Sequence, residues 1–327
     1  MSFLMTRHSL AMFSAWALLI NPVAIPGQSS SQNAPGSGLR QSAPRISDQT
    51  YRVTVDLVNI FCSVWDKKTN SFVTNLTPES FALYEDSKPQ EIKNFIRETN
   101  LPLTLAFLID TSESVAPKLK FEQEAAIAFF QSVLREKDRA LLVEFNSGVD
   151  LVQDFTSDYN KLAKQIRLLK AAGGTALYDA IYNICDEKLI RETGRKAIII
   201  LSDGEDQSSR TTFEEAYEMA LRAEAGIYGI GISQGGFFGV SGSSEGKGDR
   251  ILKQLAEETG GRTFFPFKIE DLDDSFRQIN QELRSQYNIG YISNSLRRDG
   301  GYRKIEIKLQ EKNLKLTYRK GYFAPPQ

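Results

Sequence analysis

Residues 103–109, Leu-Thr-Leu-Ala-Phe-Leu-Ile, form a nearly continuous apolar run that ends on Asp110, Ser112 and Ser114. An apolar run of strand length, with polar residues only at its end, reads as a strand buried on both faces, and such strands belong to parallel sheets covered by helices. Two further runs of this kind follow, at 196–202 and 226–232. Between and after them come stretches with apolar residues at helical spacing, such as Leu119, Ala126, Phe129, Phe130 and Val133, or Leu162, Ile166 and Leu169 in a helix expected over 159–172, and a further strand is expected over 261–267. This alternation predicts an α/β fold, with a doubly wound, mostly parallel sheet and helices on both faces. Loops at the carboxyl ends of its strands gather on one edge, where such sheets bind ligands.

The flanks have a different period. Residues 51–98 and 286–325 alternate apolar and polar side chains over short runs separated by polar turns, such as Glu85-Asp-Ser-Lys-Pro89. Neither flank has enough strands to close a β-sandwich alone, so the economical architecture inserts the α/β domain, residues 101–285, into one sandwich built from both. Ahead of them, residues 1–27 have the layout of a secretory signal: Arg7 and His8, an apolar core from Leu10 to Ile20, then Asn21-Pro22 and small residues. Residues 28–49 are rich in Ser, Gln, Asn, Pro and Gly and predict a disordered linker. Export to the periplasm, the cell envelope or the medium is expected, with membrane attachment only if the leader is not removed.

Composition excludes several function classes. A net charge of −1 over 327 residues leaves no broad basic footprint for nucleic acid. The one histidine, His8, lies in the leader, so a Ser-His-Asp triad or His-ligated zinc is excluded from the exported part. Cys62 and Cys185 are too few for a disulfide framework and read as buried free thiols. Gly242-Ser-Ser-Glu-Gly246 matches a hydrolase nucleophile pattern, but it lies in a glycine-rich loop with no histidine to activate Ser244. No enzyme is expected, and the sequence carries no signal for a particular oligomeric state.

Three loops on the predicted ligand edge hold oxygen donors. The first supplies Asp110, Ser112 and Ser114; the loop after 197–201 supplies Asp203; Gly173-Gly174 leads into Thr175 ahead of a helix. Hard oxygen donors without a basic group among them suit an octahedral Mg²⁺ or Mn²⁺. With only two carboxylates, the metal keeps net positive charge and seeks an outside anion, which is chemistry for binding.

These pieces, Asp110-Thr-Ser-Glu-Ser114, Thr175 in Gly-Gly-Thr and Asp203 in Ser-Asp-Gly, resemble the von Willebrand factor type A family and its metal-ion-dependent adhesion site. The flanks resemble those of a bacterial type A-related group typical of Acidobacteria. The resemblance implies that Asp110, Ser112 and Ser114 coordinate Mg²⁺ or Mn²⁺ directly or through water, with Thr175 and Asp203 completing the shell. Glu113 stands where glycine is common in the motif; its charge is expected to raise metal affinity and lower affinity for an acidic ligand.

Phe237 and Phe238, in the glycine-rich loop after the third buried run, are expected to add apolar partner contacts beside the metal, with Glu113 at the rim. The expected function is an exported adhesion module that captures the carboxylate of a partner protein. The alternative is a scaffold subunit of an envelope complex in which the sandwich carries the specific binding.

Overall fold

The computed structural model describes residues 57–98, 101–232, 246–266, 269–295 and 297–326. The leader, the linker, residues 242–245 of the Gly242–Gly246 motif and both Phe237 and Phe238 lie outside the described residues. The amino-terminal flank supplies β1 (Leu57–Asp66), β2 (Phe81–Glu85), β3 (Lys88–Gln90) and β4 (Ile92–Glu98). The middle of the chain runs β5 (Leu103–Asp110), α1 (Leu119–Val133), β6 (Arg139–Phe145), β7 (Val149–Thr156), α2 (Tyr159–Ile166) and α3 (Leu177–Glu187). It continues with β8 (Arg195–Ser202), α4 (Phe213–Arg222), β9 (Ala225–Gly231), α5 (Lys247–Thr259), β10 (Thr263–Phe264) and α6 (Ile269–Leu283). The carboxyl-terminal flank adds β11 (Gln286–Ile292), β12 (Tyr302–Leu309), β13 (Leu314–Tyr318) and β14 (Gly321–Phe323).

The apolar run at 103–109 is the middle of the central sheet, whose order is β10-β9-β8-β5-β6-β7. Every strand pair is parallel except β6 with the edge strand β7. Because side chains alternate along a strand, β5 serves two cores at once. Leu103, Leu105, Phe107 and Ile109 pack with α1, α2 and α6 on one face. Ala106 and Leu108 pack with α3, α4 and α5 on the other. Phe107 stands at the centre of an aromatic cluster, its ring 5.8 Å from Phe129, 5.0 Å from Phe130 and 5.9 Å from Phe276. Cys185 is buried in the second of these cores and Cys62 among the strands of the flank, both as free thiols.

The flanks form two antiparallel four-stranded sheets, β13-β1-β11-β4 and β14-β12-β2-β3, over a shared core. Strand β1 lies between β11 and β13, and β12 pairs with β2, so neither flank can complete a sheet without the other. The α/β domain therefore interrupts a single sandwich.

Four local features differ from the sequence expectation. The helix expected over 159–172 ends at Ile166, where the chain tightens into short turns (Leu168 N–H to Gln165 O, 2.9 Å) and then sends the Ala172 N–H to the Thr111 carbonyl at 2.8 Å. That bond pulls the glycine loop toward the first site loop. Of the strand expected over 261–267, only Thr263–Phe264 pair among the described residues, with Gly229 and Ile230, and residue 267 lies outside them. The turn expected around Pro89 contains an edge strand, tolerated because an edge proline needs no ladder donor. Its two-residue turn places Asp86 and Ser87 at φ 46° and 66°, the left-handed pair that matches hairpin twist. Residues 321–323 add a short strand on β12 that their polar surroundings did not announce.

At the junction of domain and sandwich, Gly260 caps α5 at φ 85°, and the Lys320 N–H donates to the Glu258 carbonyl at 2.9 Å. A side chain on the next residue is excluded sterically, because a Cβ on Gly261 would lie 1.9 Å from the Ile227 carbonyl oxygen. Among the described residues, no helix is long and apolar enough to cross a membrane.

Candidate metal centre at the carboxyl edge of the sheet

Parallel strands β5 and β8 are hydrogen-bonded neighbours in register, Ile109 beside Leu201, so the loops that follow them leave the sheet side by side. That register brings Asp110 and Asp203, far apart in sequence, to one place. The Ser114 hydroxyl donates to Asp203 Oδ2 at 2.9 Å, and the Ser112 and Ser114 hydroxyl oxygens lie 3.0 Å apart. The Ser112 backbone N–H donates to Asp110 Oδ1 at 2.9 Å. Four of the five expected donors thus form one hydrogen-bonded chain.

Thr175 belongs to the third loop and is buried. Its carbonyl accepts the N–H groups of Gln207 and Ser208 at 3.0 and 2.9 Å, tying the glycine loop to the segment after Asp203. The Glu113 N–H donates to the Gly173 carbonyl at 3.0 Å, tying the same loop to the first. The three loops therefore hold one another. Gly204, after Asp203, takes φ 77° and sits where a Cβ would meet the Gly248 carbonyl oxygen at 2.4 Å, so the turn also rests against the start of α5. The Glu113 side chain is exposed beside this cluster.

The spacing of these oxygens tests whether a cation fits. Oxygens on adjacent corners of a Mg²⁺ octahedron, at about 2.0–2.1 Å from the ion, lie about 2.8–3.0 Å apart. The Ser112–Ser114 and Ser114–Asp203 separations fall in that interval. Among the described residues there is no group of three or more His, Cys, Asp or Glu side chains that could hold a metal. Hydroxyl oxygens make up the rest of this donor set, which suits a hard, oxygen-seeking ion and offers nothing to a soft one.

Three neighbouring residues were not singled out by the sequence analysis. Ser202, the last residue of β8, donates to Asp110 Oδ2 at 2.6 Å and accepts the Gly204 N–H at 3.0 Å. Asp110 is thereby gripped on both oxygens. Burial pushes its carboxyl up to about 6, against the downward pull of the Ser202 and Ser112 hydrogen bonds. Lys118, buried ahead of α1, donates its Nζ to the Ile232 carbonyl at 2.6 Å. Glu122 is 1% exposed, and neither carboxylate oxygen has a hydrogen-bond partner. Burial first, and the charge of Asp110 second, push its carboxyl well above the ordinary 4.5. Its signal in the sequence was a carboxylate on the apolar stripe of α1, three residues after Leu119.

Residues 105–205 match the family model of the von Willebrand factor type A domain. An uncharacterized protein of Borreliella burgdorferi is 24% identical over 211 residues, covering 60% of this chain; the chain spans 57% of that relative's length. Among solved structures, a von Willebrand factor type A protein from Catenulispora acidiphila aligns at TM-score 0.47 and 14% identity, covering 75% of this chain and 74% of its own. The vWF domain of the type V pili tip protein Mfa5 from Porphyromonas gingivalis aligns at TM-score 0.43 and 15% identity, over 55% of this chain and 94% of its own. Motif order, the doubly wound sheet and the family match agree: the chain contains a von Willebrand factor type A domain.

Proposed function

We propose that the protein is an exported protein-binding module whose type A domain captures an acidic group of a partner through Mg²⁺ or Mn²⁺. The observation that carries this reading is the convergence of Ser112, Ser114 and Asp203, from two sequence-distant loops, into one set of hard oxygen donors whose neighbouring oxygens lie 3.0 and 2.9 Å apart. Ser112, Ser114 and Asp203 would hold the ion, with Thr175 from the glycine loop and Asp110 directly or through water. When bound, the ion supplies a positive centre that only two carboxylates offset, and so attracts an outside anion. The chain's own part is positional. Ser202 and the Ser112 N–H fix both oxygens of Asp110, and the Thr175 and Gly173 carbonyls lock the loops together. The donor set joins hydroxyls and carboxylates without an imidazole or thiol, which supports binding over turnover.

Export rests on the layout of residues 1–27, and a carboxylate-bearing partner on the net positive charge left at the ion. Glu113, exposed beside the donors, adds repulsion that a partner must outweigh. Partner capture from a mixture of envelope proteins, compared with and without chelator, tests the reading. Capture in Mg²⁺ that chelator abolishes supports it, and capture that ignores chelator points to the alternative, a scaffold whose sandwich does the binding. That alternative draws on Leu57 and Ile292, paired across β1 and β11 and 45% and 41% exposed.

A further inference from the structure

The edge of the central sheet opposite the candidate metal centre meets the sandwich, and a cavity lies at this junction. It is bounded by the amino-terminal ends of β5, β8 and β9 and by residues from both flanks, among them Asn59, Gln286 and Arg319. The cavity volume is about 30 Å³, which at about 10–15 Å³ for a water has room for roughly two waters or the head of a small anion. Its charged lining is one-sided: Arg195, Lys196 and Arg319 against Glu224.

Arg319 is the informative residue. Its side chain is 7% exposed. Nη2 donates to the Asn59 carbonyl at 2.7 Å and to Glu224 Oε1 at 3.0 Å, while Nε and Nη1 are buried with no hydrogen-bond partner. Buried donors on a cation are costly when unmet, and an oxyanion satisfies them with charge-assisted bonds. Lys196, whose Nζ donates to the Glu192 carbonyl at 2.8 Å, lines the same space; burial lowers its pKa, with Glu224 pulling it up and the charge of Arg319 pushing it down. Glu224, the counter-ion, is held in the left-handed region at φ 53°. A non-glycine residue keeps that conformation only where its surroundings require it. Its carboxylate, 44% exposed, meets Arg319 at Nη2 and leaves Nε and Nη1 unmet.

We propose that this junction is a binding site for a small oxyanion, of the phosphate or carboxylate class, seated on the unmet donors of Arg319 with Lys196 beside it. The occupant touches residues of the type A domain and of both flanks of the sandwich, so it fastens the two to each other. The site shares no residue with the candidate metal centre, and neither reading depends on the other.

The test uses the full chain freed of divalent metal with chelator. Inorganic phosphate and, separately, acetate are titrated at matched ionic strength, with chloride as the reference, by calorimetry and thermal unfolding. The expected result is saturable binding with a raised melting temperature, weakened about tenfold or more in Arg319→Gln, where the main donors are lost. Lys196→Met provides a second variant should Arg319→Gln not fold, and it is expected to weaken binding as well. The phosphate and acetate arms tell which class the site takes. Absence of saturable binding by both anions, or unchanged affinity in the folded variants, overturns the proposal.

Discussion

The Ser114 hydroxyl donates to Asp203 Oδ2 at 2.9 Å across 89 positions of sequence. That bond joins the ends of two adjacent parallel strands, and it exists because β5 and β8 pair in register from Leu103 beside Arg195 to Ile109 beside Leu201. Slippage by one residue would turn every apolar side chain of β5 to the opposite core and separate the two oxygens. Site and core are therefore specified by the same register.

Ser202 should matter to metal affinity without being a donor to the metal. Its hydroxyl fixes Asp110 Oδ2 at 2.6 Å. Removal of such a supporting partner weakens metal binding about 10–100-fold. Calorimetric titration of Ser202→Ala with Mn²⁺ should show that loss, while far-ultraviolet circular dichroism stays as in the parent.

Phe107 should be the costliest large-to-small change in the sheet. Its ring touches Phe129, Phe130 and Phe276 and is fully buried. Phe107→Ala should destabilise by about 3–5 kcal/mol in denaturant unfolding. The denaturant slope should not change.

Gly261 and Gly148 should respond in opposite ways to alanine. A Cβ on Gly261 would overlap the Ile227 carbonyl, whereas one on Gly148 meets nothing within 4 Å. Gly261→Ala should cost about 3 kcal/mol or more and Gly148→Ala less than about 0.5 kcal/mol. Thermal unfolding of the pair distinguishes steric exclusion at the junction from a general need for glycine.

Glu122 should make stability fall as pH rises. Its folded carboxyl is raised well above the ordinary 4.5, so between those two values the native state binds more protons than the unfolded chain. Stability is then lost with increasing pH across that window. Glu122→Gln, which keeps the neutral form, should gain stability over the parent by more at about pH 8 than at about pH 5 in chelator. An equal gain at both values would remove Glu122 as the cause.

Much of this architecture was legible in the sequence because burial on both faces leaves an unmistakable apolar run. The 103–109 run marked the central strand, and Asp110, Ser112, Ser114 and Asp203 marked the edge at which the structure gathers them. The early end of α2 was not legible, since Leu169 continues the helical spacing and is buried; only the bond from Ala172 to Thr111 explains the turn. Strands β3 and β14 were missed because each is three residues long and defined by its partner. The roles of Ser202 and Glu122 depend on which strand lies beside which, and a linear pattern does not encode that. Arg319 was unremarkable for the same reason: its partners Asn59 and Glu224 come from β1 and from the turn before β9.

The central claim is a divalent cation held by the Asp110, Ser112, Ser114, Thr175 and Asp203 cluster. Calorimetry of the parent with Mg²⁺ and Mn²⁺, beside a folded Asp110→Ala variant, tests it most directly. The parent should bind one ion per chain saturably, and the variant none. Binding retained in Asp110→Ala, or absent from a folded parent, would contradict it.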